Sequence, residues 1–79
     1  MYEENYEKLA NTIILFAVKD FRTAYRRLQR HPNDTMAQGE IQSITRFFSS
    51  QYFNVLTTLD GLSLLQKIID ELEDKNEKR

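Results

Sequence analysis

Residues 3–29, EENYEKLANTIILFAVKDFRTAYRRLQ, decide the fold. Ile14, Val18, Phe21, Tyr25 and Leu28 recur at steps of four, three, four and three, which aligns them along one side of a helix. A second stripe, Tyr6, Ala10, Ile13, Ala17 and Ala24, runs beside the first. Acidic residues open the segment and arginines close it, both complementing the helix dipole. Pro32 ends it, because the residue before a proline resists the α conformation. The segment therefore reads as a single helix from Glu3 to Gln29.

At 1.5 Å per residue such a helix is roughly 40 Å long. A chain of 79 residues folds into a globule with a radius of gyration near 12 Å, about 30 Å across. The helix must then protrude or be shared with a second copy. The run Ile13-Ile14-Leu15-Phe16-Ala17-Val18 covers every side of a helix, more than one seam buries. Leu15 falls off both stripes, and it marks a surface for self-association, most simply a homodimer.

Downstream, Asn33-Asp34-Thr35 is cap chemistry, with Thr35 and Gln38 at capping-box spacing. A second helix follows from about Met36 to Phe48 with Ala37, Ile41, Ile44 and Phe48 as its seam. Gly39 within it weakens the helix by about 1 kcal/mol relative to alanine. Either a close helix contact needs the space, or the glycine is tolerated. Ser49-Ser50 can cap a short third helix holding Tyr52, Phe53, Val55 and Leu56. Asp60 is suited to capping a last helix with Leu62, Leu65, Ile68, Ile69 and Leu72. The expectation is an all-α bundle of one long, one medium, one short and one C-terminal helix. It forms a single domain over 1–73, followed by a frayed charged tail over 74–79.

Composition narrows the function classes. There is no cysteine and one histidine, so disulfides, cysteine–zinc sites and thiol nucleophiles are absent. His31 stands at a helix end without a second ligand type beside it, and Asp70, Glu71, Glu73 and Asp74 read as a solvated helix face. No glycine-rich phosphate loop is present. The sequence reads as non-enzymatic, with no cofactor and no metal site. The longest apolar run, six residues, is far below the roughly 18 of a membrane span. Glu3, Glu4 and Glu7 give the N-terminus the wrong sign for a signal peptide, so a cytoplasmic protein without a membrane partner is expected.

Charge is unevenly spread. Residues 1–18 carry −2, residues 19–46 carry +3 and residues 47–79 carry −2. Arg22, Arg26 and Arg30 lie at i, i+4 and i+8 with Lys19 beside them, so four cations share one helix face. Such a face binds an acidic protein surface or a phosphate backbone. The plain alternative is a solvated face complementing the helix C-terminus. A pI of 5.8 favours a protein partner over nucleic acid, which remains the second possibility. Phe47, Phe48, Tyr52 and Phe53 place four rings in seven residues. They fill the core at the bend between helices, or leave Phe47 or Tyr52 outside as an aromatic anchor for a partner.

Several fragments, taken in order, resemble a known group. These are Asn5-Tyr6-Glu7-Lys8-Leu9-Ala10, Ala17-Val18-Lys19-Asp20-Phe21-Arg22 and Pro32-Asn33, then Arg46-Phe47-Phe48-Ser49-Ser50 with Tyr52-Phe53, and Leu56-Thr57-x-Leu59-Asp60-Gly61. The pattern, over residues 5–72, is similar to uncharacterised small helical proteins of phages and integrative elements of Gram-positive bacteria. The resemblance supplies no catalytic residues. It implies a protein that acts by binding inside a bacterial host, either inhibiting a host defence complex, as anti-CRISPR proteins do, or modulating replication or transcription. The contact residues expected from the sequence are Lys19, Arg22, Arg26, Arg30, Phe47 and Tyr52.

Overall fold

The computed structural model describes the backbone of residues 2–77 and the side chains of residues 7–73. Four helices follow in order, α1 (Tyr2–Arg30), α2 (Thr35–Phe48), α3 (Gln51–Leu56) and α4 (Gly61–Glu77), with no strand among the described residues. This is the all-α bundle that the apolar spacing dictates. α1 is unbroken through Asp20. Ala10, Ile14, Phe21 and Ala24 are buried along it, with Val18, Tyr25 and Leu28 half-buried on the same side. The Tyr6 side chain of the second stripe lies outside the described residues.

The turn into α2 corrects the expected cap. Asp34, one residue before Thr35, is the N-cap: its Oδ1 accepts from the Ala37 N–H at 3.1 Å. Gln38 donates instead to the Pro32 carbonyl at 2.8 Å, so no Thr35–Gln38 box forms. Further on, Ser50 serves two helices at once. Its hydroxyl donates to the Phe47 carbonyl at 2.7 Å, closing α2, and accepts from the Phe53 N–H at 3.2 Å, opening α3. Asp60 accepts from the Leu62 N–H and from the Ser63 hydroxyl, holding the first turn of α4. That helix runs to Glu77, past the start of the expected tail; Lys78 and Arg79 lie outside the described residues.

The core draws on all four helices. Phe21, Phe48 and Phe53 are the largest fully buried side chains, packed with Ile14, Leu65, Ile68 and Leu72. No buried residue among those described is polar or charged. The two glycines differ. Gly39 has open space where a side chain would stand, so it is tolerated rather than required. Gly61 is buried at the start of α4, where a Cβ would collide with the Phe48 carbonyl oxygen and lie 3.0 Å from the Phe53 ring. α4 can therefore meet the end of α2 only through a glycine.

The molecule measures 45 × 27 × 17 Å with a radius of gyration of 14.0 Å. That exceeds the roughly 12 Å of a compact chain of this size, because α1 is longer than the core it covers. No described helix is long and apolar enough to cross a membrane.

Candidate interaction surfaces

Two surfaces on α1 stand apart from the core. The first is the cationic stripe. Leu15, Lys19, Arg22, Arg26 and Arg30 advance by four, three, four and four residues, so helical geometry puts them on one face. The structure divides these cations. Arg22 donates to Glu71 of α4 at 3.2 Å, and its Nε is buried without a hydrogen-bond partner. One turn on, the Tyr25 hydroxyl donates to Glu73 at 2.6 Å. Burial first, then the hydrogen bond and charge of Glu73, push that hydroxyl up to about 12. Glu71 and Glu73 thus fasten α4 to α1, where the sequence suggested a purely solvated acidic face. The Asp74 side chain lies outside the described residues.

Arg27 is also taken up internally, at 2.9 Å from Asp34. The Asp34 carboxyl is held below the usual carboxylate range by the Ala37 N–H first, with Arg27 adding to it. Lys19, Arg26 and Arg30 remain exposed and make no ion pair with any described residue. Leu15, at 65% exposure, stands one turn before Lys19 at the N-terminal end of the stripe. The stripe is thus one exposed leucine followed along the helix by three available cations.

The second surface is a shallow groove of about 290 Å³ between α1 and α2. Ile13, Phe16, Ala17 and Asp20 form one wall; Ser43, Ile44 and Phe47 form the other. Phe16 stands at its edge with 63% of its surface exposed. Phe47 is half-buried, edge-on to Phe48 at 5.4 Å and to Phe53 at 5.5 Å, so it links the groove to the core. Tyr52 packs its edge on Phe47 at 6.0 Å while remaining largely exposed. Of the four rings in the aromatic stretch, two are buried, one is half-buried and one is outside.

The expected contact residues therefore do not form one patch. Lys19, Arg26 and Arg30 belong to the stripe, Arg22 is anchored to α4, and Phe47 and Tyr52 belong to the α2–α3 side with the groove. Phe16 was missed by the sequence reading, although it falls off both apolar stripes just as Leu15 does. His31 is exposed at the α1–α2 turn. No group of His, Asp or Glu among the described residues converges to hold a metal ion. What the two surfaces offer chemically is charge attraction and apolar contact. Comparison of the chain with family models, with curated proteins and with solved structures finds no match.

Proposed function

We propose that this chain is a non-enzymatic binding protein that attaches to an acidic surface of a host protein or protein complex through Leu15, Lys19, Arg26 and Arg30. The observation that carries this reading is a row of three exposed cations without an ion-pair partner among the described residues, with an exposed leucine at its N-terminal end. Complementing the helix dipole accounts for Arg30 and its neighbours, because that effect fades within the last turn. It gives no reason for Lys19, eleven residues before the helix end. An exposed leucine at the end of a row of cations offers a protein partner apolar contact together with charge that steers the encounter.

The mobile-element setting comes from the sequence resemblance alone. It makes the chain an anti-defence inhibitor of the anti-CRISPR kind, working inside a bacterial host, while the length and apolar excess of α1 make it a homodimer. A phosphate backbone is the second occupant that the same cations accept. The net charge of −1 and the acidic flanking segments weigh against it.

The test is capture from a Gram-positive host extract with the wild-type chain and with a Lys19→Glu, Arg26→Glu, Arg30→Glu variant of unchanged circular dichroism. A protein retained by the first and lost by the second supports the reading. An identical set on both, or none on either, refutes it. Fluorescence anisotropy with duplex DNA and with RNA at low salt covers the second occupant. Binding that weakens steeply with salt there transfers the assignment to nucleic acid.

A further inference from the structure

We propose that Arg22 is a fourth contact of the cationic stripe, held in reserve by Glu71, and that an incoming acidic protein surface takes it over by displacing that carboxylate. This rests on the reading of the stripe as an acid-binding face, and it names how that face is regulated.

Arg22 follows Lys19 by three residues and precedes Arg26 by four, so it is the helical neighbour of both. At 3.6 residues per turn it stands about 60° round the helix from Lys19 and about 40° from Arg26. Tyr25, about 60° round on the opposite side, donates to Glu73 of α4. Arg22 thus occupies the border between the stripe and α4. A long guanidinium side chain at that border can turn towards α4 or towards whatever lies on the stripe.

The hold of Glu71 on it is weak. It is one ion pair at 3.2 Å, with 43% and 67% of the two side chains exposed. Solvent screens such a pair, and its formation is favoured only by a factor of about 1.5–5. It also serves the guanidinium incompletely. Glu71 accepts from one terminal nitrogen, while the buried Nε finds no hydrogen-bond partner among the described residues. A carboxylate laid across the stripe would meet Lys19 and Arg26 as well as Arg22, whereas Glu71 pairs with Arg22 alone. The pair itself shows the chemistry of the competitor, a carboxylate presented from a protein surface. Releasing Glu71 does not detach α4, which stays held by Leu65, Ile68 and Leu72 in the core and by Glu73 on Tyr25.

Masking makes the stripe selective. A single anion meets cations with a carboxylate beside them that repels it. Only a surface carrying several carboxylates offsets the loss of the Glu71 pair and gains the fourth cation.

The experiment titrates the chain into a labelled ten-residue poly-glutamate peptide at low salt, followed by fluorescence anisotropy. The proteins are wild type, Glu71→Gln, Arg22→Met, the Glu71→Gln, Arg22→Met double variant, Asp70→Asn and the Lys19→Glu, Arg26→Glu, Arg30→Glu variant, each checked by circular dichroism. Glu71→Gln should bind about 2–5-fold more tightly than wild type, and the same change should have no effect where Arg22 is already replaced. Asp70→Asn removes an equal charge from the adjacent position, where the carboxylate holds Gln66 instead, and should leave the affinity unchanged. Equal tightening by Asp70→Asn, or tightening that persists without Arg22, is a general field effect and overturns the masking. Binding abolished in the triple variant but identical in wild type and Glu71→Gln keeps the stripe and overturns the reserve role of Arg22. Binding equal in wild type and the triple variant, or absent from every chain, overturns the stripe reading itself. A second measurement needs no variant. In a nuclear magnetic resonance titration of the wild type, the Arg22 Nε–H signal should shift with the same dissociation constant as the backbone amides of residues 19–30. A signal that stays in place while those amides move leaves Arg22 on Glu71 and overturns the proposal.

Discussion

Replacing each of the two glycines by alanine is predicted to change stability in opposite directions. Gly39 lies inside α2 with nothing within 4 Å of the position a Cβ would take. Alanine there adds no contact and loses none; it restricts the unfolded chain and suits the helix, for a gain of about 0.5–1 kcal/mol. Gly61 is also helical, so intrinsic preference alone predicts the same gain. Its Cβ would collide with the Phe48 carbonyl oxygen and lie 2.9 Å from the Phe48 carbonyl carbon. These are backbone atoms at the end of α2, and they cannot swing aside as a long side chain can. Relief requires α4 to back away from Phe48 and Phe53, two of the largest buried side chains. Overpacking of this kind costs about 1–3 kcal/mol, and contact with backbone belongs at the upper end. After subtracting the helix gain, Gly61→Ala should lose about 2 kcal/mol. For a domain of this size each kcal/mol moves Tm by about 4–8 °C. Thermal melts followed at 222 nm should show Gly39→Ala up by about 4 °C and Gly61→Ala down by about 10 °C. If Gly61→Ala melts at or above wild type, the close approach of α4 to the end of α2 is wrong.

Three further outcomes follow from the contacts between helices. The Tyr25 hydroxyl, ordinarily 10.0 and raised here to about 12, adds stability that is complete below pH 10 and is lost as the pH climbs towards 12. Because the group is partly exposed, the difference between wild type and Tyr25→Phe should be about 0.5–1 kcal/mol at pH 8 and should vanish near pH 12 in urea titrations. Asp34 has the opposite sign: its lowered carboxyl contributes above 3.8, the ordinary value, and that contribution disappears as acid protonates it. Asp34→Asn keeps a capping side chain, so its denaturation midpoint should fall below wild type at pH 6 and converge with it near pH 2. Arg22 makes one partly exposed ion pair and leaves its Nε buried without a partner. Arg22→Met should then shift stability by less than about 1 kcal/mol in calorimetry, and a loss of more than 2 kcal/mol would show that the Glu71 contact is worth more than such pairs usually are.

What could be read from the sequence was whatever repeats at helical spacing. Ile14, Phe21, Phe48, Leu65, Ile68 and Leu72 are placed in the core by their period, and each is buried. The bend aromatics were legible as a group, since four rings cannot all enter so small a core. Choices between adjacent residues were not legible. Asp34 and Thr35 are both good caps, and only the path of the turn assigns the role to Asp34. Contacts between distant segments were hidden for a different reason. Arg22 finds Glu71 and Tyr25 finds Glu73 nearly fifty residues away, and no local pattern announces which cation of a stripe will be taken. Asp60 is legible as the cap of the last helix, whereas the role of Gly61, which makes room for the end of α2, is not. Phe16 shows a signal that was present and only half applied. The test that singled out Leu15, an apolar residue off both stripes, selects Phe16 equally, and it is Phe16 that edges the groove.

The order in which the helices meet sets how the molecule should come together and come apart. α1 and α2 are consecutive in the chain, joined by a four-residue turn, and make the most extensive helix–helix packing in the molecule. Their hairpin closes a short loop, so its association is entropically the least demanding step. α4 brings Leu65, Ile68 and Leu72 to the core across a much longer span of chain. Its docking, against Phe48 through Gly61 and against α1 through Glu71 and Glu73, is therefore expected to follow the hairpin. Truncating Leu65, Ile68 or Leu72 to alanine should therefore accelerate unfolding while leaving the folding rate nearly unchanged, whereas truncating Ile41 or Ile44 should slow folding. On that outcome, the lifetime of the folded molecule is set by the grip of its last helix.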